Sequence, residues 1–296
     1  MGSTSEDINH HRRRLLRTAV MTAAAAQFGV TALADAHPRT GENILQRVAE
    51  KSESAEVSAS IVLVHGAWAD GSGWDRVIAP LQSKGLKAMA APIPLTSLSD
   101  DTAALEWALE RTDGPVVLVA HAYSGAVVGA CRNERVRALV FVTALTPDEG
   151  ETVAEVFYRD KPDSRAPQLT PDRHDLLWIP DKQFGPAWCQ NASPEKAALL
   201  AATQRPIAVA CIKEKAPPPA WRTVPSWYLV AEEDRMINPA TQLFLARRMG
   251  AKIQSAKVDH APLITAPDVV VAMILQAVSS MIADPSKDRS NRRQGG

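Results

Sequence analysis

Six segments of the chain carry the apolar, β-branched pattern of strands. The most apolar of them have no polar face, which is typical of strands buried on both sides in a parallel sheet. Helical spacing of apolar residues predicts helices between them. The predicted strands are 61–64, 86–93, 116–119, 136–144, 226–231 and 252–258. The predicted helices are 75–84, 100–111, a segment beginning near Gly125, 239–249 and 268–282.

This alternation predicts an α/β fold over residues 60–283. We expect a mostly parallel sheet of about six strands, flanked by helices and joined by right-handed crossovers. The alternation stops between about 147 and 222, where prolines, charges and large aromatic residues occur without strand periodicity. We interpret this segment as a small, mainly helical cap inserted over the carboxyl edge of the sheet. Its aromatic residues either line a pocket or form the core of the cap.

The N-terminus has the pattern of an export signal. The segment His11-Arg12-Arg13-Arg14-Leu15-Leu16-Arg17, which contains a twin-arginine pair within three consecutive arginines, precedes an uncharged, alanine-rich stretch that ends in small residues. This is typical of a bacterial twin-arginine (Tat) signal peptide, and the stretch is short for a stable membrane span. We expect a signal peptide at 1–36, a linker at 37–59, a disordered tail at 284–296 and a periplasmic or secreted protein.

Composition excludes some functions and leaves others open. Of the 296 residues, 33 are basic and 33 acidic, and no basic stripe indicates nucleic-acid binding. Cys131, Cys189 and Cys211 lack the paired spacing of a zinc site. In an oxidising compartment, a disulfide between Cys189 and Cys211 is an alternative to three buried thiols. No motif calls for a metal, a nucleotide or a flavin.

The segment 115–128, PVVLVAHAYSGAVV, predicts a strand, a sharp turn and a helix. That is the geometry of a nucleophile elbow, whose motif is G-x-S-x-G. With Ala122 at the centre, the neighbouring positions that must be small are Ala120, Ser124 and Gly125. With Ser124 at the centre they include the branched Val127, so the sequence favours Ala122 at the nucleophile position. Ser124 remains the alternative nucleophile.

Two polar segments follow the last two predicted strands, at the sheet edge where such folds bind ligands. The first contains Glu233 and Asp234, and the second contains Asp259 and His260. We predict that Asp234 orients His260 as a catalytic base, because a carboxylate fixes the imidazole tautomer and stabilises the imidazolium. Glu233 is the alternative acid. We expect His65 and His121 to be structural.

Taken together, these motifs resemble the α/β-hydrolase branch of plant methylesterases, hydroxynitrile lyases and bacterial esterases. The resemblance spans about 60–282 and rests on IVLVHGAWADGSGWDRVIAPLQSKG, VLVAHAYSGA, ALVFVTALTPDEGET, EEDRMI and VDHAPLITAP. It implies that Asp234 and His260 are the acid and base, and that the backbone N–H groups of Ala67 and Tyr123 form an oxyanion hole. Ala122 departs from the branch, which has serine there.

Three functions stay open at this point. The first is an enzyme that uses the His260–Asp234 base and the oxyanion hole on a small, apolar ester or carbonyl compound without a serine nucleophile, as a hydrolase, lyase or cofactor-free oxygenase. The second is a serine esterase that uses Ser124. The third is a non-catalytic protein that binds a small apolar ligand. The expected partner is a small molecule, and the oligomeric state is left open between a monomer and a homodimer.

Overall fold

The computed structural model describes residues 59–283, with the side chains of the last two residues left out. The predicted signal peptide, the linker up to residue 58 and the tail at 284–296 lie outside the described residues. Within the described part, six strands form one parallel sheet in the order β2-β1-β3-β4-β7-β8. The strands are β1 (Ser60–Val64), β2 (Lys87–Ala91), β3 (Val116–His121), β4 (Val136–Val142), β7 (Ser226–Ala231) and β8 (Lys252–Ala256).

The prediction of an α/β fold with a mostly parallel sheet of about six strands is therefore confirmed. Every residue of β1, β3 and β7 is buried, as their continuous apolar runs require. The edge strand β8 is polar and largely exposed, which suits a strand with one hydrogen-bonded neighbour. The central strands thus form the core, and their carboxyl ends meet at one edge of the sheet.

Helices cover the sheet between the strands. They are α1 (Asp75–Ser83), α2 (Leu98–Leu109), α3 (Ser124–Ala130), α8 (Pro239–Arg248), α9 (Pro262–Thr265) and α10 (Pro267–Ala283). Five of them agree with the predicted helices to within a few residues, and α9 was not predicted from the sequence. Helix α2 begins two residues before its predicted start, because the side chain of Ser97 accepts a hydrogen bond from the backbone N–H of Asp100 and caps the helix there.

The segment between β4 and β7 leaves the sheet and forms a cap. It contains the helices α4 (Val153–Phe157), α5 (Asp181–Trp188), α6 (Pro194–Ala202) and α7 (Val209–Lys213), and two strands, β5 (Leu176–Leu177) and β6 (Ile207–Ala208). The two strands pair antiparallel. This small ladder is absent from the sequence prediction, because two residues are too few to show a periodicity of two.

The three cysteines are buried and free, so the alternative of a Cys189–Cys211 disulfide is wrong. Cys211 points instead towards the carboxylate of Asp101, with its Sγ atom 3.7 Å from Oδ2. Burial raises the pKa values of Cys189 and Cys211 to about 12, so both thiols are protonated at neutral pH.

Candidate active site

The turn between β3 and α3 has the conformation of a nucleophile elbow. Its central residue, Ala122, has φ = 50°, a left-handed value that non-glycine residues rarely adopt. The backbone is packed tightly around it, since a Cβ atom added at Gly125 would overlap the carbonyl oxygen of Leu145. The carbonyl oxygen of Ala122 accepts hydrogen bonds from the N–H groups of Gly125 and Leu145, at 3.1 and 2.9 Å. The strained turn is retained although its central side chain is a methyl group.

Ser124, the alternative nucleophile, lies at the start of α3 and is fully buried. Its Oγ atom accepts a hydrogen bond from the backbone N–H of His121 at 2.9 Å and lies 2.8 Å from the carbonyl oxygen of Val64, to which it donates. The hydroxyl therefore joins β1 to the end of β3. Ser124 does not line the cavity between the sheet edge and the cap, whereas Ala122 forms part of its wall.

Asp234 and His260 follow β7 and β8 and meet at the sheet edge. The Nδ1 atom of His260 lies 2.9 Å from Oδ2 of Asp234, and both side chains are buried. An ionised carboxylate only accepts hydrogen bonds, so Nδ1 carries the proton and Nε2 has the free lone pair. Nε2 is buried and has no hydrogen-bond partner in residues 59–283. The alternative acid Glu233 is exposed, and the carboxylate paired with His260 is that of Asp234.

The carboxylate of Asp234 is held by further donors. Its Oδ1 atom accepts hydrogen bonds from the N–H groups of Met236 and Ile237, at 2.7 and 3.0 Å. Its Oδ2 atom also accepts one from Nε2 of Gln242, at 2.7 Å. Gln242 is fully buried on α8 and is not among the site residues predicted from the sequence. The only sequence signal for it is a polar residue at helical spacing from the buried Leu245 and Ala246.

The loop that carries His260 is fixed by its neighbours. The carboxylate of Asp259 accepts hydrogen bonds from the N–H of Asn191 in the cap and from the hydroxyl of Thr265, at 3.0 and 2.5 Å. The carbonyl oxygen of His260 lies 2.7 Å from Nε2 of His121. Burial, reinforced by the neighbouring His260, lowers the pKa of His121 to about 3, so its neutral ring donates to this carbonyl.

The other predicted structural histidine, His65, is also fully buried and contacts its own turn. Its Nδ1 atom lies 3.0 Å from the carbonyl oxygen of Gly66. Burial lowers its pKa, which keeps the ring neutral at physiological pH. His65 and His121 therefore support the turns beside the site, and neither contributes to the cavity wall.

Ala67 and Tyr123, the residues of the implied oxyanion hole, both line the cavity next to Ala122. Their backbone N–H groups make no hydrogen bond to another described residue. Unpaired backbone N–H groups in residues that line an apolar cavity are suited to bind a negatively charged oxygen atom. The structure thus brings Ala67, Ala122, Tyr123 and His260 to one cavity.

The side chain of Tyr123 is anchored on a buried acid, Asp101, which is not among the site residues predicted from the sequence. Its hydroxyl donates to Oδ2 of Asp101 at 2.7 Å, and the N–H of Leu95 donates to the other oxygen at 2.7 Å. Asp101 is fully buried. Burial raises its pKa and also that of Tyr123, which favours the protonated phenol. This pair anchors a residue that lines the cavity.

The cavity lies between the sheet edge and the cap and contains about 820 Å³ of empty space, including its open mouth. Its wall is formed mainly by apolar side chains from both parts, among them Leu145, Val153, Phe157, Leu177, Ile207 and Ile212. Tyr158 also lines it. Apart from Phe157 and Tyr158, the Phe, Tyr and Trp side chains of the cap do not line it. Phe184, Trp188 and Trp221 belong to the buried core, and Trp178 is exposed.

The described residues contain no group of three or more His, Cys, Asp or Glu side chains that could hold a metal ion. None of the helices in this part of the chain is long and apolar enough to cross a membrane.

The parallel sheet, the strained turn after β3 and the acid and histidine after β7 and β8 define an α/β-hydrolase. The sequence matches the alpha/beta hydrolase family over residues 61–273, and the chain belongs to that family. It is 23% identical over 249 residues to the alpha/beta hydrolase nvfD of Aspergillus novofumigatus. The aligned region covers 75% of this chain and 98% of nvfD.

Two solved structures illustrate the fold. Polyneuridine aldehyde esterase superposes with a TM-score of 0.65 at 20% identity, covering 74% of this chain and 98% of the esterase. A pyrethroid hydrolase from Sphingobium faniae gives a TM-score of 0.64 at 19% identity, covering 77% of this chain and 99% of the hydrolase. At these identities the likeness shows the fold alone, and the chemistry depends on the site itself.

Proposed function

We propose that this protein is an enzyme of the esterase-like branch in which His260, oriented by Asp234, acts as a general base on a small apolar ester or carbonyl compound. The observation that carries the proposal is the hydrogen bonding of the two ring nitrogens of His260. Its Nδ1–H is held by Asp234, and its buried Nε2 is unpartnered in the described structure. Such a nitrogen accepts a proton without first losing a hydrogen bond.

Ala122 removes the acyl-enzyme route, because a methyl group cannot attack a carbonyl carbon. A serine hydrolase such as subtilisin loses about 10⁶ in kcat when its nucleophilic serine is replaced, so a conventional two-step esterase is not expected.

The reaction that remains for an ester is direct hydrolysis. Nε2 takes a proton from water while the water oxygen bonds to the carbonyl carbon, and the N–H groups of Ala67 and Tyr123 bind the resulting oxyanion. When the C–O bond breaks, the imidazolium returns its proton to the leaving alkoxide.

The same groups serve a substrate with an acidic C–H or O–H bond. His260 then removes that proton, and the oxyanion hole binds the enolate or alkoxide until a proton is returned. This extends the proposal to a lyase or to a cofactor-free oxygenation of the enolate by dioxygen. Hydrolysis is placed first because the relatives named above are an esterase and a hydrolase, although their own substrates are not transferred to this chain.

The test compares the protein with three variants on a panel of small apolar esters and lactones. We expect His260→Ala and Asp234→Asn to lower kcat by at least about 100-fold. Ala122→Ser should raise hydrolysis by at least about 100-fold, because the new hydroxyl would supply the nucleophile that the proposed acid, base and oxyanion hole require. A fluorophosphonate probe should label Ala122→Ser at position 122 and leave the parent protein unlabelled. Equal activity of the parent and His260→Ala would overturn the proposal.

Ser124 as nucleophile is disfavoured by its buried hydroxyl and its hydrogen bonds to β1 and β3. Covalent labelling of the parent protein at Ser124 by the same probe would reverse this judgement.

The second candidate is a non-catalytic protein that binds a small apolar ligand. It is favoured by Ala122 and by the apolar wall of the cavity. In that case no compound of the panel is turned over, and His260→Ala leaves the biological activity unchanged.

We also propose that residues 1–36 direct export through the Tat pathway. The support is the twin-arginine sequence and the modest apolar stretch after it. Replacing Arg12, Arg13 and Arg14 by lysine should retain a tagged full-length protein in the cytoplasm of a bacterial host, and unchanged export would contradict the assignment.

A further inference from the structure

One face of helix α7 forms part of the cavity wall on the cap side. Val209, Ile212 and Lys213 all line the cavity, at positions i, i+3 and i+4 of the helix. Residues with this spacing share one helix face, so the root of the Lys213 side chain lies on the same side as two apolar wall residues.

Lys213 is the one lysine or arginine in the wall that the described residues form around the cavity. It makes no salt bridge with another described residue. The neighbouring acid Glu214 is engaged elsewhere, since its carboxylate accepts a hydrogen bond from the N–H of Ser99 at 3.1 Å. Lys213 is exposed overall, so its stem can cover apolar wall while its ammonium group reaches water at the mouth.

The positive charge of Lys213 affects which ligands the cavity prefers. A purely apolar ligand would leave the ammonium group with water alone, whereas an anionic group at the mouth would pair with it. We propose that Lys213 is a specificity determinant, and that the ligand is amphipathic, with an apolar body in the cavity and a carboxylate, sulfonate or similar anionic group at the cap end. The inference rests on the cavity of the proposed function being the ligand site, and it does not require turnover.

Two fluorescent dyes of the same skeleton test this point. 8-Anilinonaphthalene-1-sulfonate carries a sulfonate, and N-phenyl-1-naphthylamine is its uncharged counterpart. An exposed ion pair contributes a modest amount, so we expect Lys213→Met to weaken binding of the sulfonate dye about fivefold and that of the neutral dye less than twofold. Lys213→Arg should retain both affinities. The matched control is Lys215→Met, which removes an exposed lysine two residues further on that is not part of the wall.

Both dyes also adhere to exposed apolar surface, so the binding site must be located. Ala154 lines the cavity, and Ala154→Trp should fill it and weaken both dyes in a folded protein. The inference is overturned if both dyes bind Ala154→Trp as they bind the parent, if Lys213→Met affects both dyes equally, or if Lys215→Met has the same effect. Selective loss of the sulfonate dye in a protein that hydrolyses none of the esters would support the inference while the proposed function fails.

Discussion

Gln242 donates a hydrogen bond from Nε2 to Oδ2 of Asp234 at 2.7 Å, the same oxygen that lies 2.9 Å from Nδ1 of His260. Nε2 also lies 2.9 Å from the carbonyl oxygen of Ile237, and Oε1 accepts from the N–H of Ala231 at 3.0 Å. One buried amide therefore fixes the carboxylate against the end of β7. A buried carboxylate is stable only when its oxygen atoms are satisfied in this way.

Gln242→Met, which keeps the length of the side chain, should release the carboxylate. We expect loss or broadening of the low-field proton resonance of the His260 Nδ1–H, because the acceptor oxygen is no longer held in one orientation. The free energy of unfolding should fall by about 2–3 kcal/mol, since the N–H of Ala231 and the carboxylate each lose a buried partner. Proton NMR and urea denaturation measure the two effects. The exposed Gln183→Met is the control, and a sharp, unshifted resonance in Gln242→Met would contradict the orienting role.

The fold could be predicted because its signals are local. Apolar runs, helical spacing and the small residues around Ala122 each lie within about a dozen positions of the chain. The positions of Asp234 and His260 followed from one further step, that parallel strands end at a common edge. Gln242 and Asp101 could not be found in this way. Each acts through a partner on another element, and the acid in the first turn of α2 has the pattern of an ordinary helix start.

The close contact between the turn and the segment after β4 makes Gly125 sensitive to a single methyl group. A Cβ atom at Gly125 would overlap the carbonyl oxygen of Leu145, which is backbone and cannot move away alone. We expect Gly125→Ala to lower the free energy of unfolding by about 3 kcal/mol. Gly129 provides the control in the same helix, because a Cβ atom there would lie 3.8 Å from its nearest neighbour. Gly129→Ala should be neutral or stabilising by up to about 1 kcal/mol. Equal stability changes in the two variants would show that the turn is not tightly packed.

Tyr123 and Asp101 form a buried pair that should behave as a unit. Tyr123→Phe leaves one oxygen of Asp101 without its hydroxyl donor, which costs about 1–3 kcal/mol of unfolding free energy. The exposed Tyr158→Phe, at the mouth of the same cavity, should change it by less than about 0.5 kcal/mol. Chemical denaturation of both variants at pH 7 measures the difference. If Tyr123→Phe is as stable as the parent, the pair does not hold the turn.

His121 gives the protein a dependence on pH whose sign is fixed. Its pKa is lowered by burial from the ordinary value of 6.5 to about 3. Between these pH values the imidazole of His121 binds a proton in the unfolded chain and not in the folded protein. Its contribution to the free energy of unfolding is therefore fully present above pH 6.5 and is lost as the pH falls. At most, His121 changes the free energy of unfolding by about 1.4 kcal/mol per pH unit. The lowered pKa of His65 acts in the same direction, and the raised pKa of Asp101 opposes both.

The contribution of His121 to this pH dependence is measured by comparing how much stability the parent and a variant each lose between two pH values. Urea denaturation at pH 6 and at pH 5 should show a loss for the parent that is about 1 kcal/mol larger than the loss for His121→Gln, because glutamine does not titrate. His174→Gln, which changes an exposed histidine, should keep the slope of the parent. Since His121→Gln also removes a ring that packs 5.0 Å from that of His260, its stability will be lower at both pH values, and only the difference between them is diagnostic. Parallel slopes for the parent and His121→Gln would mean that the ring of His121 is protonated with equal ease in the folded and unfolded states, and its place as a neutral donor to the carbonyl of His260 would have to be abandoned.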